Sequence, residues 1–129
     1  MKILYYCCLS CLLCACDPMI FVDFENRTET DARVVCYKDT LKYKDFIVPS
    51  KLSNKPKDRI TGPDNIVSLI GVRGFRWTED MMKSKLGDIT RLEIQTPNDT
   101  IILQDKDSLY QFFKEHLTKP KYRIHINIK

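Results

Sequence analysis

Glycine, histidine and tryptophan are scarce in this chain. There are four glycines, two histidines and one tryptophan in 129 residues. With so few glycines there is no glycine-rich phosphate cradle, and no G-x-S-x-G nucleophile elbow appears. The two histidines, His116 and His125, are separated by a turn, and no cysteine or carboxylate stands beside either at ligand spacing. That pattern gives no zinc site. Cysteine is absent from most of the chain as well. Five of the six lie in the first sixteen residues, which leaves Cys36 alone in the remainder. A single thiol cannot build a disulfide framework, so the core must hold by packing. Charge of one sign is also missing. A net charge of +4 is too small to indicate a nucleic-acid partner. No run is long enough to span a bilayer either: the longest apolar stretch, Ile3 to Ala15, is 13 residues broken by Ser10, against about 20 for a spanning helix.

That short stretch is the most informative part of the sequence. Lys2 is the only charge before Asp17, and the apolar run ends in Leu13-Cys14-Ala15-Cys16. A positive start, a short apolar middle and a small residue before the break describe a secretory signal. The ending resembles the lipobox of bacterial lipoproteins, with Cys14 where Ala or Ser is commoner. The resemblance implies cleavage after Ala15, diacylglycerol on the Cys16 sulfur, and a mature protein anchored rather than spanning. Cys8, Cys11 and Cys14 also have the C-x2-C-x2-C spacing of an iron–sulfur run, but the fourth place of that pattern is Pro18. The spacing stands without its context, and cysteine here reads as a small hydrophobe. The organisation expected is a signal at 1–15, a lipidated tether at 16–18, and a single β-rich domain at 19–129.

Along that domain, Ile20, Val22 and Phe24 alternate with polar or outward residues as a strand. Asn26-Arg27-Thr28 turns the chain. Ala32, Val34 and Cys36 alternate as a second strand, expected to form a hairpin with the first, with Cys36 on its buried side. Phe46-Ile47-Val48 reads as a short strand. Residues 49–65 are rich in proline and lysine, with one short strand expected near Ile60. Ile66 to Val72 is almost entirely apolar, so it is expected as the central strand, buried on both faces, with Gly71 and Gly74 at a bulge or bend. Thr78 caps a helix whose apolar face is Met81, Met82 and Leu86, whose C′ residue is Gly87, and onto which Trp77 folds as a staple. Leu92 and Ile94, then Ile101 and Leu103, flank Pro97-Asn98-Asp99 as a hairpin. A second helix follows, with Ser108 and Gln111 at capping-box spacing and Leu109, Phe112, Phe113, His116 and Leu117 on one face. Tyr122, Ile124, Ile126 and Ile128 then alternate as a half-buried strand whose outer face is almost wholly charged or polar, with lysines that discourage edge pairing. The fold class is therefore α+β: a mainly antiparallel β sheet or sandwich of six to seven strands, with two short helices at about 78–86 and 107–117.

No catalytic constellation emerges, no cofactor is expected and the chain is not read as an enzyme. The carboxylate pairs Glu79/Asp80 and Asp105/Asp107 both sit at helix starts, where the helix dipole explains them. Two Asn-x-Thr tripeptides, at Asn26 and Asn98, read as turns. The lipobox, the short tether and the small β-rich domain together resemble small envelope lipoproteins of Bacteroidota. The resemblance implies a lipid-anchored protein of the outer or inner membrane, facing the periplasm, with an envelope protein or glycan as partner. The expected function is a membrane-anchored binding module. Its expected surface combines Lys55, Lys57 and Arg59 with Phe75, Arg76 and Trp77, because arginine and aromatics dominate binding hot spots. Two alternatives remain open: a Cys-dependent hydrolase using Cys36, and a structural subunit of an envelope complex.

Overall fold

The structure is a computed structural model and describes residues 18–52, 65–118 and 123–129. Seven strands and two helices follow in the order β1 (Met19–Asn26), β2 (Ala32–Lys38), β3 (Leu41–Val48), β4 (Ile66–Arg73), α1 (Glu79–Leu86), β5 (Ile89–Gln95), β6 (Thr100–Leu103), α2 (Lys106–Glu115) and β7 (Arg123–Ile128). They form a three-stranded sheet, β4-β1-β7, and a four-stranded sheet, β3-β2-β5-β6. All pairings are antiparallel except β1 with β7. The α+β sandwich read from the alternations is the fold observed, and both helices fall within two residues of their expected bounds.

β1 is the centre of its sheet. Ile20, Val22, Phe24 and Asn26 on its inner face have no exposure at all, because the strand is paired along both edges and covered by the second sheet. Across the core, Phe24 meets the Phe46 ring edge-on at 6.1 Å, a favoured aromatic geometry. Cys36 is part of this core, as expected.

Two expectations of pairing are corrected. Residues 66–72 are not the central strand; β4 lies at an edge. The apolar run is explained by a bulge. Val22 pairs with Ile70 but Asp23 pairs with Ser68, so Leu69 is an extra residue in β4. The bulge shifts the inward phase from Val67 to Ile70 and Val72. An edge strand with a phase shift thus reads, in sequence, like a strand buried on both faces. β1 and β2 are not a hairpin either. They belong to different sheets, since both edges of β1 are already taken by β4 and β7.

The crossing between sheets is organised by Asn26, which has no exposure. Its amide nitrogen donates to the carbonyls of Thr30 at 2.8 Å and Val48 at 2.9 Å. Its carbonyl oxygen accepts from the Thr28 N–H at 2.9 Å and hydroxyl at 2.7 Å. Every polar position of the side chain is thereby used, as burial demands.

The helices are capped locally. The Thr78 hydroxyl accepts from the Met81 N–H, and Glu79 and Asp80 occupy the first turn. In α2 the cap is Asp105 rather than Ser108: its carboxylate accepts from both the N–H and the hydroxyl of Ser108 at 2.9 Å. A carboxylate at the positive helix end outcompetes a hydroxyl three residues later. Gly87 ends α1 in a right-handed conformation rather than the left-handed C′ geometry. The expected strand near Ile60 lies outside the described residues.

Because the Asn26 side chain satisfies four backbone and side-chain partners, its removal strands several of them. Asn26→Ala is expected to cost about 3 kcal/mol, on the scale of buried groups left unpaired. Urea unfolding measures this; a loss under about 1 kcal/mol would mean the junction is not structurally important.

Candidate functional site

A concavity of apolar character lies between the two helices. Leu86 and Met82 on α1, Leu109 and Phe113 on α2, and Ile89 at the start of β5 line a groove of about 360 Å³. Lys83, Lys106 and Asp107 stand at its margin, and Tyr110 forms part of the wall. The local sequence explains the placement. The apolar faces of both short helices turn toward β5 and toward each other, and helical spacing puts Lys83 and Lys106 beside those faces. The Tyr110 hydroxyl is buried and has no hydrogen-bond partner among the described residues.

Past Met82 and Tyr110 the helix pair opens into a second hollow of about 310 Å³, lined by Arg76, Trp77, Thr78, Glu79, Lys114 and Leu117. It is more polar. Lys114 Nζ reaches Glu79 Oε1 at 3.6 Å, with both side chains exposed, a pair worth little in water.

The expected binding surface is only partly assembled here. Lys55, Lys57 and Arg59 lie outside the described residues, as do Ala15 and Cys16. Phe75 is 84% exposed and Arg76 is exposed beside it. Trp77 requires correction: it is 1% exposed, and its indole N–H donates to the Phe21 carbonyl at 3.1 Å. It closes the end of the core where β4 passes into α1, and it presents no surface to a partner. A tryptophan just before a helix cap is explained by packing onto the first turn. Lys83, Lys106 and Tyr110 were not singled out in the sequence. Each has the ordinary look of a helix-surface residue, and only the side-by-side packing of α1 and α2 brings them to one groove.

The outer face of the β4-β1-β7 sheet carries a row of polar residues that the alternation did not reveal as a cluster. Ser68, Asp23 and His125 are neighbours in register on three adjacent strands. The residue types are those of a hydrolytic triad, but the order is wrong, since the base must lie between nucleophile and acid. Here Asp23 is in the middle. It accepts from the Ser68 hydroxyl at 2.5 Å and pairs with Arg123 Nε at 3.0 Å. His125 Nε2 lies instead 2.6 Å from Glu25 Oε2. Glu25 is also held by Arg27 at 3.1 Å. The hydrogen bonds from Arg27 and then His125 keep the Glu25 carboxyl below its ordinary value of 4.5. His116 is spent locally, its Nδ1 2.7 Å from the Phe112 carbonyl oxygen. Among the described residues no three His, Cys, Asp or Glu side chains converge on a common point.

On the other sheet, Val35 points outward yet is 1% exposed. The side chains around it account for that: Arg33 bridges both carboxylate oxygens of Asp45 at 2.8 and 2.6 Å, Lys42 joins Asp45, and Arg91 pairs with Glu93. Long side chains of this kind cover apolar surface with their stems.

Cys36 has no exposure. Burial pushes its thiol up to about 11, so almost none is thiolate at neutral pH, and a nucleophilic cysteine needs the reverse on both counts. Neither the burial of Cys36 nor its raised thiol supports the hydrolase alternative.

No protein-family model, curated protein sequence or solved structure matches this chain.

Two measurements check the electrostatics. A carboxyl held below its ordinary value stabilises the fold above that value and loses this contribution as it is protonated. Stability should therefore fall as pH drops below 4.5, and Glu25→Gln should flatten that fall; urea midpoints at about pH 6 and about pH 3.5 compare the two proteins. An unchanged slope would show that Glu25 does not set it. Maleimide labelling followed by peptide mapping should leave the Cys36 peptide unmodified in the native protein and modified in guanidinium. Rapid native labelling would contradict its burial.

Proposed function

We propose that the protein is a membrane-anchored lipoprotein of the bacterial envelope, held through Cys16, and that its folded domain is a binding module. The binding element is the groove between α1 and α2. One observation carries this: the groove is apolar on its floor, open at its mouth and margined by Lys83, Lys106 and Asp107, which is the usual make-up of a ligand site of this size. The anchor rests on the Leu13-Cys14-Ala15-Cys16 ending of a short apolar leader. Two or more acyl chains hold a protein at the bilayer where one does not. The partner is an envelope component, a protein segment or glycan-linked group that offers apolar surface to the floor and negative charge to Lys83 and Lys106.

The two halves of the proposal are tested separately. Grown with an alkyne-tagged palmitate, cells should incorporate the tag into the wild-type protein and not into Cys16→Ser; equal labelling of both removes the anchor. For the groove, Lys83→Trp places a large side chain at the mouth without touching the core. Partners crosslinked and co-purified from native membranes should fall at least tenfold with this variant. Undiminished recovery would mean that the groove is not the binding element.

A further inference from the structure

The strand that follows the proposed anchor fixes which end of the domain is nearest the lipid. Pro18 is two residues from Cys16, so the chain can separate them by no more than about 7 Å. Pro18 is not a free tail. Its carbonyl accepts from the Gly74 N–H at 2.9 Å, and the next residue, Met19, pairs with Arg73. The corner between β4 and α1 is thereby fastened to the point where the tether enters the fold.

That corner has an unusual surface. Phe75 is 84% exposed, more than any other large apolar side chain described, and Met19, paired with Arg73 two residues before it, is 45% exposed. Arg76 follows, exposed and without an ion-pair partner among the described residues. The indole of Trp77 anchors the corner from inside through the Phe21 carbonyl, so Phe75 is presented on a fixed support. Apolar and aromatic side chains flanked by basic ones are the composition of a surface that lies in the headgroup layer, and arginine adds attraction to anionic lipid.

We infer that this end of the sandwich, formed by Met19, Phe75 and Arg76, is the face that meets the bilayer. It rests on the anchored reading proposed above and adds an orientation to it. Phe75 enters the boundary between headgroups and acyl chains, and Arg76 stays among the phosphates. The opposite end of β1, where Asn26 leads into the turn containing Glu29, is an eight-residue strand away, roughly 25 Å. It faces away from the membrane.

Depth-dependent quenching tests this on the full-length lipidated protein. Phe75→Trp and Glu29→Trp add one fluorophore each at the two ends, and both positions are exposed. The proteins are purified from membranes and reconstituted into phosphatidylethanolamine–phosphatidylglycerol vesicles with or without acyl-chain-brominated lipid. The fluorescence added by Phe75→Trp should be quenched at least twofold by brominated lipid, and that added by Glu29→Trp should be unaffected. Introducing Arg76→Glu into Phe75→Trp should reduce the quenching. If the protein floats with the vesicles but the Phe75→Trp signal is not quenched, or both signals are quenched equally, the orientation is wrong while the anchor stands. If the wild-type protein fails to float at all, the anchor itself is lost, and the inferred face with it.

Discussion

The four hydrogen bonds of the Asn26 side chain govern how the two sheets meet. They tie the end of β1, the turn that follows and the end of β3 into one junction around a side chain that has no exposure itself. Once that junction closes, β2 must start on the second sheet, and the apolar faces of both sheets are turned on one another. The remaining packing follows: Phe24 reaches Phe46 and the helices close the open end. A buried amide is costly unless every position is matched, and here each one is, so the same group that would weaken a core specifies its geometry.

Since Cys36 is buried and single in the described fold, no covalent bridge supplements this packing. The outer faces contribute in a different way. On one sheet, the Asp23–Arg123 and Glu25–His125 contacts fasten β7 to β1. On the other, Arg33, Asp45, Arg91 and Glu93 shield Val35. The polar rows are thus largely occupied with holding the fold, which is why neither presents an unengaged acid–base pair. The helix pair differs, because there apolar lining remains open.

Much of the fold was legible in the sequence, for local reasons. Alternation located the strands, and Thr78 and the acidic residues located the helix starts. Pairing was harder. The run at 66–72 has no alternation because the extra residue Leu69 shifts its phase, and nothing local distinguishes that from a strand covered on both sides. The sequence proximity of β1 and β2 suggested a hairpin, whereas the hydrogen bonding of Asn26 and the parallel partner β7 decided otherwise. For the site, Phe75 and Arg76 were legible as exposed residues of interest. Trp77 was legible both as a staple on α1 and as part of the binding surface, and its burial and the indole N–H bond to the Phe21 carbonyl favour the first. The groove depends on two helices lying side by side, a relation between residues more than twenty positions apart that no local pattern encodes.

The parallel pairing of β1 with β7 has a temporal meaning. Val22 to Asn26 must wait for Ile124 to Ile128, and the Glu25–His125 contact spans a hundred residues. Such long-range closure is slow relative to local hairpins. While the chain emerges, β2, β3, β5 and β6 can assemble, but the central strand of the other sheet lacks one edge until the last strand is available. The first sheet is thereby kept from closing until β7 is available, so its central strand is completed later than the local hairpins of the other sheet.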